Sequence, residues 1–528
     1  MKDRNESSSH GISRRDVLKT FGAGTLLTML PGCTESIKTY EEAAFGSKPH
    51  GIIFMIGDGM PLGVIRAMHE ISTQEFGRPD SNLYALMRDP ATVSCYMGTK
   101  SLSSMVTDSA PASAAWSTGS HTANGMLAAL PDGTPLMTIM ELVKDRGFAT
   151  GLVTTTRVTH ATPAAWVSHN KNRNAEFDIA LDYLNFLPDI LLGGGSKYFD
   201  PLMRPDRRDI FAEFAAAGYY VCKDKAGLTG YDPSSSKDRR ILGIFNPSHL
   251  SYYVDRVNDP AKGNMEPTLA EMTAAALSNL SRNPDGFVLQ VEAGRIDHAN
   301  HANDAWSAIM DAVEMDLALG VILKYVKLNP NVLLIITSDH GNSGWGINGT
   351  GPGYNDSAMA LRKYNAINAS FEVITPKFRG KQANEIKDIV KSHTSFDITD
   401  AEAQMIHNSL QPGYHPYPGD FSYPAETVLG KILAHSKYGT AGAKIRRGNI
   451  AFTSNSHTGE DQIALIHGPK ARDLGLPAFV YNTDLFKVMC RFLNVRHSNP
   501  SMSAKDATHY VKIASQAEWE RDMVLHVS

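Results

Sequence analysis

Several short stretches carry side chains whose types and spacing suit metal-assisted chemistry. In "EAGRIDHANHAND" (292–304), Asp297 and His301 stand four residues apart, so a helix starting near them puts both on one face. An aspartate and a histidine so arranged suit a divalent cation, while His298 points elsewhere on that helix, to the surroundings of an ion. "SDHG" (338–341) offers Asp339 and His340 where an apolar run ends, and a chain turning past a strand end can direct both to one ion. "GDG" (57–59) sets Asp58 between two glycines, which let backbone approach a ligand closely. "SNSHTGED" (454–461) places His457 in a polar loop. Each stretch alone has a plainer reading: an exposed helix start, an ordinary Asp-His pair, a tight turn, a structural histidine. Together, five separate strand ends or loops present Asp, Glu or His, Glu292 included. Imidazole and carboxylate without thiolate favour zinc beside a harder ion such as magnesium.

"VTDSAPASAAWSTG" (106–119) holds Ser109 just after an aspartate. It lacks the G-x-S-x-G elbow of an α/β-hydrolase, and Asp108-Ser109 with Pro111 behind them also reads as a well-made helix start. The metal-competent residues supply the alternative. Two cations about 4 Å apart clamp the attacking and leaving oxygens of a phosphoryl transfer. A zinc ion can hold a serine oxygen as an alkoxide with no histidine base, and a helix N-terminus adds a field that favours bound phosphate.

The elements that must position these groups are legible in outline. "GIIFMIGDG" (51–59), "ATGLVTT" (149–155), "DILLGGG" (189–195), "GFVLQVEAG" (286–294) and "VLLIITSDHG" (332–341) read as buried strands. Helical patterns such as "PLMTIMELVKDRG" and "DAWSAIMDAVEMDLALGVILKYV" lie between them. The alternation predicts a three-layer α/β sandwich with a central, mostly parallel sheet flanked by helices. In such sheets ligands gather beyond the carboxyl ends of the strands, where Asp58, the stretch from Thr155, Glu292 and Asp339-His340 fall. Residues 345–448, rich in Gly, Pro, Asn and Tyr, read as a long insertion that covers or extends the main domain, with "QPGYHPYPGDFSYP" (411–424) its most loop-like part.

A chain of 528 residues with 42% hydrophobic and 20% charged residues is composed as an ordinary globular protein, and its net charge of −4 gives no general attraction to nucleic acid or anionic membrane. At the N-terminus, "SRRDVLKTFGAGTLLTMLPGC" places Arg14 and Arg15 ahead of an apolar run too short to span a bilayer. Residues 1–33 thus resemble a twin-arginine export signal, with Val17 where phenylalanine is common, and predict a periplasmic or extracellular protein. Cys33 in "LPGC" resembles a lipoprotein processing site, to which Pro31 fits poorly; a membrane-anchored lipoprotein is the corresponding expectation. Cys95, Cys222 and Cys490 allow at most one disulfide, so no disulfide framework holds the fold.

"IGDGM", "TDSAPASA", "VTHATPAAWVSHNKNR", "VEAGRIDHANHAND", "TSDHG" and "HTGED" occur in the order and context seen in alkaline phosphatases. The chain resembles that family from about residue 50 to 470 apart from the insertion, and residues 45–528 are identified as its catalytic domain. The resemblance implies that Asp297, His301 and His457 hold one zinc, and Asp58, Asp339 and His340 a second that activates Ser109. It implies that Asp58 bridges to a third site, normally magnesium, completed by Thr162 and Glu292, and that Arg173 grips two phosphate oxygens in a bidentate fork. The implied reaction is hydrolysis of a small phosphate monoester through a phosphoserine, which zinc-bound hydroxide then attacks from the opposite side. A homodimer is the family's habit. His160 stands where enterobacterial members have Asp and His298 where they have Lys, a pairing like that of other branches including animal enzymes. It leaves the third ion open among magnesium, zinc and cobalt. Pro111, unusual two residues after the nucleophile, suits a first helical turn.

Three rivals are distinguishable. A sulfatase would need Ser/Cys-x-Pro-x-Arg, but "SAPAS" ends in Ser113. A phosphodiesterase shares the two-zinc platform, yet Arg173 suits the two free oxygens of a monoester dianion. A non-catalytic metal- or phosphate-binding protein would have no need of Ser109, and Ser109→Ala tests it: turnover should vanish while zinc uptake stays.

Overall fold

The computed structural model describes residues 50–511 except 235–239, 350–353, 412–413, 415–423, 435–446 and 469–470. The export signal and Cys33 therefore lie outside the described residues, as does most of the 411–424 stretch.

Ten strands form the central sheet: β1 (Gly51–Gly57), β2 (Thr92–Gly98), β3 (Ala149–Arg157), β4 (Ile190–Gly194), β5 (Tyr219–Cys222), β6 (Arg240–Ile244), β7 (Phe287–Ala293), β8 (Val332–Thr337), β9 (Gln462–His467) and β10 (Phe479–Tyr481). Their order across the sheet is β10-β2-β9-β8-β1-β7-β3-β4-β6-β5. Only β9 runs against the rest, pairing antiparallel with β2 and β8. The five predicted strands are the adjacent centre β8-β1-β7-β3-β4, where both faces are covered and the sequence reads as continuous apolar runs.

Alternate residues of each central strand serve opposite layers. Ile53, Met55, Leu289, Val291, Leu334 and Ile336 pack with helices Leu62–Gln74, Leu269–Leu280 and Ala305–Leu328. Ile52, Phe54, Ile56, Val288, Leu333 and Ile335 pack with helices Ser109–Thr118, Glu176–Phe186 and Asn482–Phe492. Helix Ala305–Leu328 is buried almost all round, which its apolar composition requires of it.

Register brings the functional groups to one edge. Ile56 lies beside both Glu292 on β7 and Thr337 on β8, and Thr154 on β3 lies beside Glu292. The strands thus end level, and Asp58, Ser338, Asp339 and the segment after β3 emerge together beyond their carboxyl ends. A two-residue ladder of Gly341–Asn342 with His457–Thr458 then carries His457 across to His340.

The 345–448 segment is more helical than its Gly/Pro content suggests. Its described residues include helices Ser357–Arg362, Ala383–Thr394, Asp400–Ser409 and Pro424–Ala434. Phe371, Phe378, Ile386, Ile406 and Val428 join the same apolar cluster as the sheet. Polar pins add to this: Ser370 Oγ donates to Asp255 (2.7 Å), and the Phe371 amide donates to Asp304 (2.8 Å). Cys95, Cys222 and Cys490 are free and buried. Among the described residues, no helix is long and apolar enough to cross a membrane.

Candidate active site

Ser109 opens a helix built almost wholly of small residues, SAPASAAWST, every one of them buried. Smallness lets the helix lie against the 161–165 segment: Ser113 Oγ donates to the Thr162 carbonyl (2.7 Å) and Ser117 Oγ to that of Ala165 (2.6 Å). Asp108 is its N-cap, accepting from the Ala110 amide at 2.8 Å, and Gly119 ends it at φ 77°. Pro111 sits in the first turn, as its missing N–H allows. The cap reading and the nucleophile reading of this stretch are therefore compatible. Ser109 Oγ lies 3.3 Å from His340 Nε2.

Three groups of donor atoms, each within 4.8 Å of one another, surround it: Asp297/His301/His457, Asp58/Asp339/His340 and Asp58/His160/Glu292. Asp58 belongs to two of them. Asp297 and His301 share one face of helix Arg295–His301, with His301 Nε2 3.3 Å from Asp297 Oδ2. Asp339 and His340, just past the end of β8, turn to one place, His340 Nε2 being 3.1 Å from Asp339 Oδ2. Thr162 Oγ1 donates to Asp58 Oδ2 at 3.3 Å. His160, which stands where enterobacterial members have Asp, falls within the third group. His298 is buried, its Nδ1 facing Arg295 Nη1 at 2.8 Å.

The backbone sets the imidazoles. His301 Nδ1 donates to the Asn455 carbonyl (2.7 Å) and His457 Nδ1 to that of Thr107 (3.0 Å). A carbonyl only accepts, so both Nδ1 atoms carry the proton and both Nε2 atoms are turned to one place, 3.0 Å apart beside Asp297, the orientation that neutral imidazoles need to ligate one ion. The carboxylates point to the same conclusion. Asp58 Oδ1, Asp339 Oδ2 and Glu292 Oε1 are buried with no hydrogen-bond donor in bonding geometry. Burial, then Asp339, Asp297 and Glu292, push Asp58 well above the usual carboxylate range, and burial drives Glu292 up to about 7. Asp339 is held below its ordinary value because His340 outweighs its burial. Four buried carboxylates and four imidazoles brought this close, three of the carboxylates with an oxygen that no donor satisfies, fit divalent cations by their chemistry.

Arg173 joins the site to the nucleophile helix. Its Nη1 donates to Asp108 Oδ1 at 3.2 Å, and Nη2 lies 3.1 Å from His160 Nε2. Several further residues do not show in sequence spacing. Asn342 Nδ2 donates to Asp297 Oδ1 (2.7 Å), and the Gly59 amide to Asp339 Oδ1 (2.9 Å). His249 packs against His298 (ring centroids 4.3 Å) and His160 (5.6 Å) from a loop with no ligand-like pattern. For Asn342 a signal existed: it directly follows "SDHG".

The family model for alkaline phosphatase matches residues 50–495. The chain is 30% identical over 461 residues to alkaline phosphatase 4 of Bacillus subtilis, covering 84% of this chain and 88% of that protein. It is 30% identical to the tissue-nonspecific alkaline phosphatase of Gallus gallus, covering 80% of each. The crystal structure of Thermus thermophilus alkaline phosphatase superposes with a TM-score of 0.81 at 34% identity, over 89% of this chain and 96% of that one. A sheet whose level strand ends gather metal-competent groups around a capped serine thus coincides with relatives matched along nearly their whole length, and the chain belongs to the alkaline phosphatase family, hydrolases of phosphate monoesters.

Proposed function

We propose that this enzyme hydrolyses phosphate monoesters through a phosphoserine at Ser109. The observation that carries this reading is the position of Ser109 Oγ, 3.3 Å from His340 Nε2 at the N-terminus of a fully buried helix, with Arg173 tied to that helix through Asp108. Asp297, His301 and His457 would hold one zinc; Asp58, Asp339 and His340 a second; Asp58, Thr162 and Glu292 a magnesium, with His160 close enough to favour a transition ion instead. Bound there, such cations supply positive charge to the phosphate and to the attacking and leaving oxygens.

The chain's own groups account for the rest. Arg173 Nη1 and Nη2 bind two phosphate oxygens and orient phosphorus toward Ser109. Ser109 Oγ attacks and its proton passes to solvent water; the Oγ–P bond forms, the ester P–O bond breaks, and the departing alkoxide takes a proton back from solvent water to leave as the alcohol. Water then attacks phosphorus from the opposite side, breaking Oγ–P to give inorganic phosphate and free serine. The helix N-terminus favours the negative charge throughout. We further infer export by residues 1–33 to the periplasm or exterior, lipid attachment at Cys33, and a homodimer; these rest on the N-terminal sequence pattern and on family resemblance.

Metal content measured together with hydrolysis of p-nitrophenyl phosphate and its bis-ester tests the reading. Roughly two zincs per chain with strong monoester preference supports it. Zinc with diester preference transfers the function to a phosphodiesterase of the same superfamily. Zinc without any hydrolysis leaves a binding protein.

A further inference from the structure

Two residues beside the site go against the local preference of the elements that carry them, and they meet. Helix Arg295–His301, which bears Asp297 and His301, ends in a Schellman turn: the Asn303 amide donates to the Asn300 carbonyl (2.9 Å) and the Asp304 amide to that of Ala299 (2.8 Å). Asn303 is the left-handed residue of that turn, at φ 51°, where glycine is the default. Gly430 lies inside helix Pro424–Ala434 of the 345–448 segment, where only proline is a poorer helix former. Close approach accounts for the glycine. A Cβ on Gly430 would overlap the Asn303 carbonyl oxygen and lie 2.8 Å from the Asn303 Cβ, so helix and turn touch backbone to backbone.

Asn303 does with its amide what glycine cannot. Its Nδ2 donates to the carbonyls of Asn300 and Ser454, at 3.0 Å each. The first belongs to the helix of Asp297 and His301, and the second opens the loop of His457. The fully buried side chain is therefore a staple of fixed length between the two. The loop in turn orients both imidazoles, because the Asn455 carbonyl takes His301 Nδ1 (2.7 Å) and His457 follows two residues later. The insertion helix meets that loop a second time, with Thr427 Oγ1 3.5 Å from Asn455 Nδ2, both residues buried. Its last turn is tied to the segment leading there, the Gly448 amide donating to the Leu433 carbonyl at 2.9 Å.

We propose that helix Pro424–Ala434 sets the spacing of His301 and His457 by seating Gly430 on Asn303. Gly430 and Asn303 are then positioning residues for the cation that Asp297, His301 and His457 would hold. The inference rests on the metal reading of the site, and it gives the 345–448 segment a part in the metal centre.

The test measures zinc retained per chain after dialysis of the holoenzyme against graded free zinc, in wild type, Asn303→Gly, Gly430→Ala and the double variant. The thermal midpoint of chelator-stripped protein is the control for folding. Asn303→Gly keeps the turn, since φ 51° suits glycine, and removes the staple; the midpoint should hold while one zinc weakens about tenfold or more. Gly430→Ala favours the helix but forces it off the turn, so the same zinc should weaken by a similar factor. The double variant should lose no more than the larger single loss, because both changes act through one contact. Activity lost at limiting zinc should return in excess zinc. Wild-type zinc retention in Asn303→Gly overturns the proposal, and so does a Gly430→Ala protein with a raised midpoint and unchanged zinc. Losses that add in the double variant overturn the route from Gly430 through Asn303. If Gly430→Ala does not fold, Asn303→Gly decides alone. Wild-type protein that takes up no zinc overturns the metal reading itself, a result distinct from all of these.

Discussion

Asn342 should set the affinity of one cation and leave the other nearly alone. Its amide donates to Asp297 Oδ1 at 2.7 Å and to the Asp297 carbonyl at 3.2 Å, and Ser343 Oγ fixes the amide by donating to Asn342 Oδ1 at 2.8 Å. Asn342→Ala removes both bonds to Asp297. The backbone pairing of residue 342 with His457 does not need the side chain, so the ladder survives. A hydrogen bond to an ionised carboxylate is worth roughly 1.5–3 kcal/mol, which is about 10- to 100-fold in affinity. The same range holds for partners that orient metal ligands in general. The assay is a zinc titration of metal-free protein against a chelator of known affinity. One zinc should weaken about 10- to 100-fold while the other stays within about twofold, and activity lost at limiting zinc should return in excess zinc. Equal weakening of both, or of neither, would refute the argument that Asn342 acts through Asp297.

Two further predictions follow from other parts of the fold. Gly59 has φ 56°, and a Cβ there would lie 2.9 Å from the Asp297 backbone Cα; Gly59→Ala should therefore lower zinc content as well as activity, whereas loss of activity at full zinc content would show that the crowding argument is wrong. His169 Nε2 lies 2.9 Å from Glu141 Oε1. Burial lowers the His169 pKa, but Glu141 more than offsets this and raises it above 6.5; burial raises Glu141, but His169 and Thr138 hold it below 4.5. Stabilisation from His169 is complete below 6.5 and is lost as pH rises through its raised folded value, while that from Glu141 is lost as pH falls through its depressed one. Glu141→Gln should thus lower the urea midpoint more at about pH 6 than at about pH 9; an equal loss at both would contradict the pairing.

What the sequence made legible was the centre of the sheet and whatever follows its strands. β1, β3, β4, β7 and β8 are doubly covered, so their sequences are buried along their whole length and mostly apolar, and three of their ends are marked by Asp58, Glu292 and Asp339. The remaining strands carry weaker patterns. β2 is partly exposed, β5 and β10 span four and three residues, and β9 is antiparallel beside them. Within 345–448, the capping box Thr399–Glu402 does announce one helix, but the neighbouring Gly, Pro and Tyr dominate the composition. Ligand pairs within one element, such as Asp297–His301, are visible through helical spacing. Contacts made by folding distant loops together are not: His249 beside His298, or the Asn455 and Thr107 carbonyls that fix the tautomers of His301 and His457, obey no local period.

If the proposed mechanism holds, Ser109 becomes phosphorylated during turnover. Incubation of the metal-loaded enzyme with inorganic phosphate or a monoester, followed by an acid quench and peptide mass spectrometry, tests it directly. Phosphate is expected on the peptide containing residues 106–119, localised to Ser109, and none in Ser109→Ala that still binds zinc. Phosphate on another residue, or a rapid quench of active enzyme that traps no covalent phosphate at all, would contradict it.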